Sequence, residues 1–238
     1  MNRLNKLWKK FDRLTEECYA DLDSEKTDIS KWNECFNILL EIISDGRQTA
    51  PDFARELYLL DEETDYCYDV QGWIEDYMDV LDTCEMYVEL ESVCRKLLKL
   101  FDWKEEYPSD VRFALALALG DQGKQEEALK YCEDWVADEK DNPIAVSALI
   151  HTKINMKDFE GGEKIVRQYI TEDTVCTDEN SVIFVAALRL YKEMTRKIED
   201  ALNEYDEGLG EFLTEMDDED FALDEELLRS IDEELPFD

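Results

Sequence analysis

Apolar residues recur along this chain at steps of three and four, the period of an amphipathic helix. Leu4, Leu7, Trp8, Phe11, Leu14 and Cys18 share one face of a first helix, and Arg3, Lys6, Lys9, Lys10 and Arg13 take the opposite face. A second helix is predicted from about Ser30 to Asp45, with Trp32, Phe36, Leu39, Leu40 and Ile43 on its apolar side and Gly46 as its stop. Pro51 opens a short helix through Leu60, and the acidic run DEETDYCYDVQG (61–72) has no period and reads as a loop. From Trp73 the helical pattern holds to about Leu213. It breaks near Thr83, at Tyr107-Pro108, at Gln122-Gly123, at Asp141-Asn142-Pro143, at Met156-Lys157, across Thr171–Asp178 and near Thr195. Elements of 12–18 residues, separated alternately by tight and looser turns, describe stacked helical hairpins.

Composition agrees with an all-α fold. Eight glycines and four prolines in 238 residues are few, and 44% hydrophobic residues can build a core despite the charge. The segments group as an N-terminal helical cap region (1–70), a set of helical repeats (71–214) and an acidic C-terminal tail or capping helix (215–238).

The repeat shows when GDQGKQEEALKYCEDW (120–135) is laid on the chain 34 residues later: Gly123 falls on Lys157, Ala128 on Gly162, Tyr131 on Ile165, Cys132 on Val166 and Trp135 on Tyr169. Upstream, Tyr87, Leu90, Cys94 and Leu97 match Gln125, Ala128, Cys132 and Trp135 at a spacing of 38, and Ala201 offers a looser fit at 39. With Arg112, Leu115, Ala116 and Leu119 in a first helix, Gly123 at the turn and Ala128 and Cys132 in a second, the unit resembles the tetratricopeptide repeat. Val146, Leu149, Ile150, Lys153, Gly162 and Val166 give a second copy. The chain departs from that pattern at Arg112, where the family has an aromatic, and at Ala116, where it has glycine. Its closing proline comes three residues late, as Pro143 in place of Lys140, which predicts a second helix longer by about a turn.

The resemblance implies a right-handed stack of antiparallel helical hairpins, a TPR-like α-solenoid. It also implies that the first helix of each hairpin lines a concave groove that receives segments of partner proteins. Groove-facing positions would be Asp110, Phe113, Leu117 and Asp121 in one copy and Ile144, Ser147, His151 and Asn155 in the next. The family's clamp for a terminal carboxylate needs lysines and an arginine, which these positions lack. A basic or neutral protein or peptide segment is therefore the expected partner.

The net charge of −36 changes the picture of partners. It repels nucleic-acid phosphates and anionic lipid, so neither nucleic acid nor membrane is expected as a direct partner, whereas a basic protein is attracted. The first helix could serve a membrane or an acidic groove, but its basic face is expected to lie over the protein's own acidic surface. Seven cysteines with no CxxC read as reduced thiols, several of them in the core. With no signal peptide or membrane-spanning run, they point to a cytoplasmic protein. His151 is the lone histidine, and phosphate-binding, dinucleotide, zinc-protease and serine-hydrolase motifs are absent. DLDSEKTDISKW (21–32) lacks the glycine and the final glutamate of a calcium loop. No cofactor, metal or enzyme activity is expected.

One segment stands apart. Residues 216–238 alternate acidic clusters with Phe221, Leu223, Leu227 and Ile231, which read as a final cap or frayed tail, a ligand for a partner's groove, or a segment docked on its own protein. The function expected is non-enzymatic protein–protein interaction, with an acidic mimic of nucleic acid, occupying a DNA- or RNA-binding protein, as the alternative.

Overall fold

Strong helix formers and scarce glycine leave this backbone one economical way to satisfy its hydrogen bonds, within helices. The computed structural model describes residues 3–22 and 27–215, with side chains through residue 204. Among the described residues there is no strand. The helices are α1 (Arg3–Leu22), α2 (Ile29–Thr49), α3 (Leu59–Glu62), α4 (Val70–Thr83), α5 (Tyr87–Leu100), α6 (Ser109–Asp121), α7 (Gln125–Asp138), α8 (Pro143–Asn155), α9 (Phe159–Tyr169) and α10 (Ser181–Glu215). One compact unit runs to Ala187 and a second begins at Leu188, inside α10.

Aromatic rings join α1, α2 and α4. Trp32 and Trp73 stack at 5.7 Å, Trp73 and Tyr77 at 5.4 Å, and Phe11 meets Trp73 edge-on at 5.4 Å. Tyr77 donates its hydroxyl hydrogen to Asn33 on α2, and Tyr19 on α1 donates to Asp76 on α4 at 2.6 Å. The basic face of α1 reaches acids on α2, Arg3 to Asp45 at 3.1 Å and Lys10 to Glu34 at 2.8 Å. Four cysteines, Cys18, Cys35, Cys94 and Cys132, are buried, Cys67, Cys84 and Cys176 are exposed, and all seven are free thiols.

Several boundaries differ from those read in the sequence. Gly46 does not stop α2 but lies inside it, buried, because a Cβ there would stand 2.2 Å from the Phe53 ring. Its absent side chain admits the returning chain. Residues 51–57 form turns, and α3 is a single turn. The loop after it is shorter than 61–72, since α4 starts at Val70. The cause is Asp61, a buried carboxylate that accepts the Val70 amide at 2.6 Å and the Gln71 amide at 3.3 Å, while Asp69 caps Gly72 at 3.0 Å. Burial pushes the Asp61 carboxyl above its ordinary range, with the two amides opposing. Helix α7 ends at Asp138, so the late proline lengthens the connection and not the helix. Pro143 opens α8 behind Asn142, whose side chain accepts the Ile144 amide at 3.0 Å. Finally, α10 runs unbroken through Thr195, so no turn precedes Ala201 as one precedes Ala128 and Gly162.

Three turns share one construction. Between α4 and α5, α6 and α7, and α8 and α9, a residue sits at positive φ: Glu85 (58°), Gly123 (77°) and Lys157 (58°). At each, the following amide returns to a carbonyl five residues back: Met86 to Leu81 at 2.8 Å, Lys124 to Leu119 at 2.9 Å and Asp158 to Lys153 at 2.9 Å. The positive-φ amide itself returns three residues, at 2.9 Å in every case. This is the Schellman closure of a helix C-terminus. The three residues stand 38 and then 34 apart. Across them α4 packs on α5, α6 on α5, α7 and α8, and α8 on α7 and α9.

Polar clasps hold these helices in place. Glu91 on α5 binds Lys124 at 2.6 Å, Arg95 at 2.8 Å and Gln122 at 2.9 Å, and Lys124 leads the partners that hold its carboxyl down to about 2. The guanidinium of Arg112 lies 4.6 Å from the centre of the Trp135 ring and bonds Glu139 at 2.5 Å. A flat cation thus covers the face of Trp135, itself fully buried.

Two outcomes follow for thermal or denaturant unfolding. A Cβ at Gly123 would touch nothing within 4 Å. Gly123→Ala therefore carries only the backbone cost, about 1 kcal/mol of lost stability, whereas Lys157→Gly relieves the same strain and raises the midpoint. Arg112→Ala uncovers Trp135 and strands Glu139, and loses about 2 kcal/mol, which Arg112→Lys does not restore because an ammonium lacks the planar fork.

Candidate functional site

The turns set the phase of the helices before them. Ten and six residues before each positive-φ position stand Glu75 and Asp79 on α4, Phe113 and Leu117 on α6, and Ser147 and His151 on α8. Equal offsets put equivalent positions on equivalent faces. Two clefts open along these faces.

The first, about 420 Å³, lies between α4 and α6. Met78, Phe113 and Leu117 supply its apolar lining, and Glu75, Asp79, Asp82 and Asp110 its charge. The second, about 300 Å³, lies on the other side of Phe113, where Ile144, Ser147 and His151 of α8 face Val182 and Val185 in the first turns of α10. Phe113 and Asp110 line both. The imidazole of His151 meets the Phe113 ring edge-on, centroids 5.8 Å apart, tying α6 to α8 beneath the face.

Charge is crowded in the first cleft. Partial burial pushes the Glu75 carboxyl above its ordinary range, and Asp110 leads the neighbouring acids that add to the shift. Burial does the same to Asp79, with Asp76 and Asp82 adding repulsion. A cation placed here would relieve both effects. Among the described residues no group of three or more acids, histidines or cysteines is arranged to hold a metal ion, and no helix is long and apolar enough to cross a membrane.

Of the positions read from the sequence, Asp110, Phe113 and Leu117 line the first cleft, and Asp110, Phe113, Ile144, Ser147 and His151 the second. Asp121 and Asn155 stand at the far ends of α6 and α8 and line neither. Asn155 packs against Gly120, where an added Cβ would lie 3.3 Å from its amide nitrogen. Phe221, Leu223, Leu227 and Ile231 lie outside the described residues. Sequence reading missed Glu75, Asp79, Val182 and Val185. The spacing of 38 that aligns Tyr87 with Gln125 also carries Phe113 to Glu75 and Leu117 to Asp79, so the first two were within reach. The valines gave no signal, since nothing in their spacing marks which side of α10 meets α8.

The chain matches no protein-family model, no curated protein and no solved structure. Its functional reading rests on this geometry.

A carboxyl titration by NMR tests the crowding. Glu75 should protonate above the ordinary glutamate range, and Asp110→Asn should bring it part of the way back, burial accounting for the rest. An acid whose pKa is raised by folding favours the folded state at low pH and loses that contribution as pH rises through the raised value. Asp110→Asn should therefore stabilise the protein at neutral pH and flatten this part of the pH dependence.

Proposed function

We propose that this protein is a non-enzymatic interaction module, a TPR-like stack of helical hairpins that receives a basic or neutral segment of a partner along the faces of α4, α6 and α8. The observation that carries the reading is the common register. Three successive first helices offer positions at the same offset from the same turn, and those positions border two adjoining clefts. Acids around an apolar lining favour lysine or arginine beside an apolar anchor, and rigid helices lower the ordering cost of binding. Seven free thiols accord with a reducing, cytoplasmic setting.

The test is selection from a random displayed-peptide library on the full chain. Selected peptides should be enriched in lysine or arginine next to a bulky apolar residue. Leu117→Asp and Asp79→Lys should each weaken them about tenfold or more, while Glu133→Lys on the exposed side of α7 should not. Association should slow as salt rises. Peptides indifferent to both cleft substitutions would refute the reading. A partner that duplex DNA displaces from chains carrying those substitutions would favour nucleic-acid mimicry in its place.

A further inference from the structure

The longest helix leaves an apolar stripe uncovered. In α10, a 35-residue helix, every residue from Thr195 to Glu204 is exposed. Leu188, Tyr191, Ile198 and Leu202 are 71%, 41%, 60% and 57% exposed. With Thr195 between them they follow steps of three, four, three and four, and the sequence extends the series to positions 205, 209 and 212, occupied by Tyr, Leu and Phe. That is a heptad repeat sustained over residues 188–212, the spacing of a coiled-coil seam. Gly208 and Gly210 lie within this helix and each weakens it. A helical stretch with every side chain in water has no packing to hold it, and helices in water persist chiefly by burying an apolar face.

The charges say what fits the seam. Arg189, Lys192, Arg196 and Lys197 outnumber Glu193 and Glu199 in its first half, where Arg196 binds Glu193 at 2.6 Å, whereas the charges of its second half, Glu204, Asp206, Glu207 and Glu211, are all acidic. A parallel pair of such helices sets like charge against like. An antiparallel pair sets the basic half of each against the acidic half of the other.

We infer that residues 188–212 of α10 form an antiparallel two-helix coiled coil with the same residues of a second copy of this chain, about a twofold axis at residue 200. This register closes on itself. Leu188 meets position 212 of the other copy, Tyr191 meets 209, Thr195 meets 205 and Ile198 meets Leu202, so each apolar position faces another seam position. Lys192 flanks Asp206 at both ends of the pair, each one residue beyond a seam position. Glu199 opposes its own copy near the axis, a repulsion that the outer pairs and the seam offset. The inference stands apart from the clefts, none of whose lining residues it uses.

Sedimentation of the full chain across micromolar concentrations tests it, with circular dichroism as the check on folding. The expected result is a monomer–dimer equilibrium whose dissociation constant rises at least about tenfold in Ile198→Asp and in Leu202→Asp, both at exposed positions. Lys192→Glu should weaken the dimer and Lys192→Glu with Asp206→Lys should restore it, which loss of helix alone would not do. With Cys67, Cys84 and Cys176 changed to serine, a Leu188→Cys chain mixed with a Phe212→Cys chain should give only the mixed adduct under a mild oxidant. A chain monomeric at every concentration, a dimer indifferent to both aspartates, or adducts of Leu188→Cys with itself would each overturn the inference.

Discussion

Three residues held at positive φ set the geometry of the helix pairs from α4 to α9, and with it the faces that border the clefts. Each Schellman turn fixes where one helix ends and at what angle of rotation the next begins, because its hydrogen bonds count residues from the turn and not from either helix start. Glycine meets this demand at one turn only, and Glu85 and Lys157 hold the same backbone at the others. The closing hydrogen bonds and the apolar packing on either side therefore overcome the side chain's preference. The faces of α4, α6 and α8 inherit their alignment from this phasing, and so do the clefts beside Phe113.

The N-terminal helices are joined by a different means. Between α1, α2 and α4, stacked and edge-on rings around Trp73 supply large buried surfaces with defined orientations, and short polar contacts from Tyr19 and Tyr77 pin the ring edges. Farther along, small residues and one cation take over. Ala116 and Ala128 are buried, and Arg112 lies across the face of Trp135. The guanidinium does for that ring what a second aromatic does at the other end, while adding a bond to Glu139 that fixes the end of α7.

Helical period and breakers were legible because they are local. The tight turns at Gln122-Gly123 and Met156-Lys157 fall where the sequence places them, and so do the apolar faces of α1 and α2. Misreadings arose where a distant contact decides. Gly46 looks like a stop, yet Phe53 fills the space beside it, and Asp61 looks like loop, yet it caps α4 from nine residues away. Thr195 looks like a break, but its hydroxyl bonds the Tyr191 carbonyl at 2.9 Å and the helix continues. The cleft was legible on α6 and α8 through the repeat. Its acidic wall on α4 was hidden because Glu75 and Asp79 stand where the next copies carry no acid, Phe113 and Leu117 and then Ser147 and His151, and a repeat sought by likeness passes over such a change.

The buried thiols give the chain a set of internal clocks. Cys18, Cys35, Cys94 and Cys132 sit on α1, α2, α5 and α7, one to a helix, and burial pushes Cys94 up to about 12 and Cys132 up to about 11. All four are shut away from solvent, and a thiol so enclosed reacts with an alkylating reagent only when its surroundings open. The order in which these four sulfurs are captured thus records the order in which the helices come apart, written by the native sequence without a label being introduced.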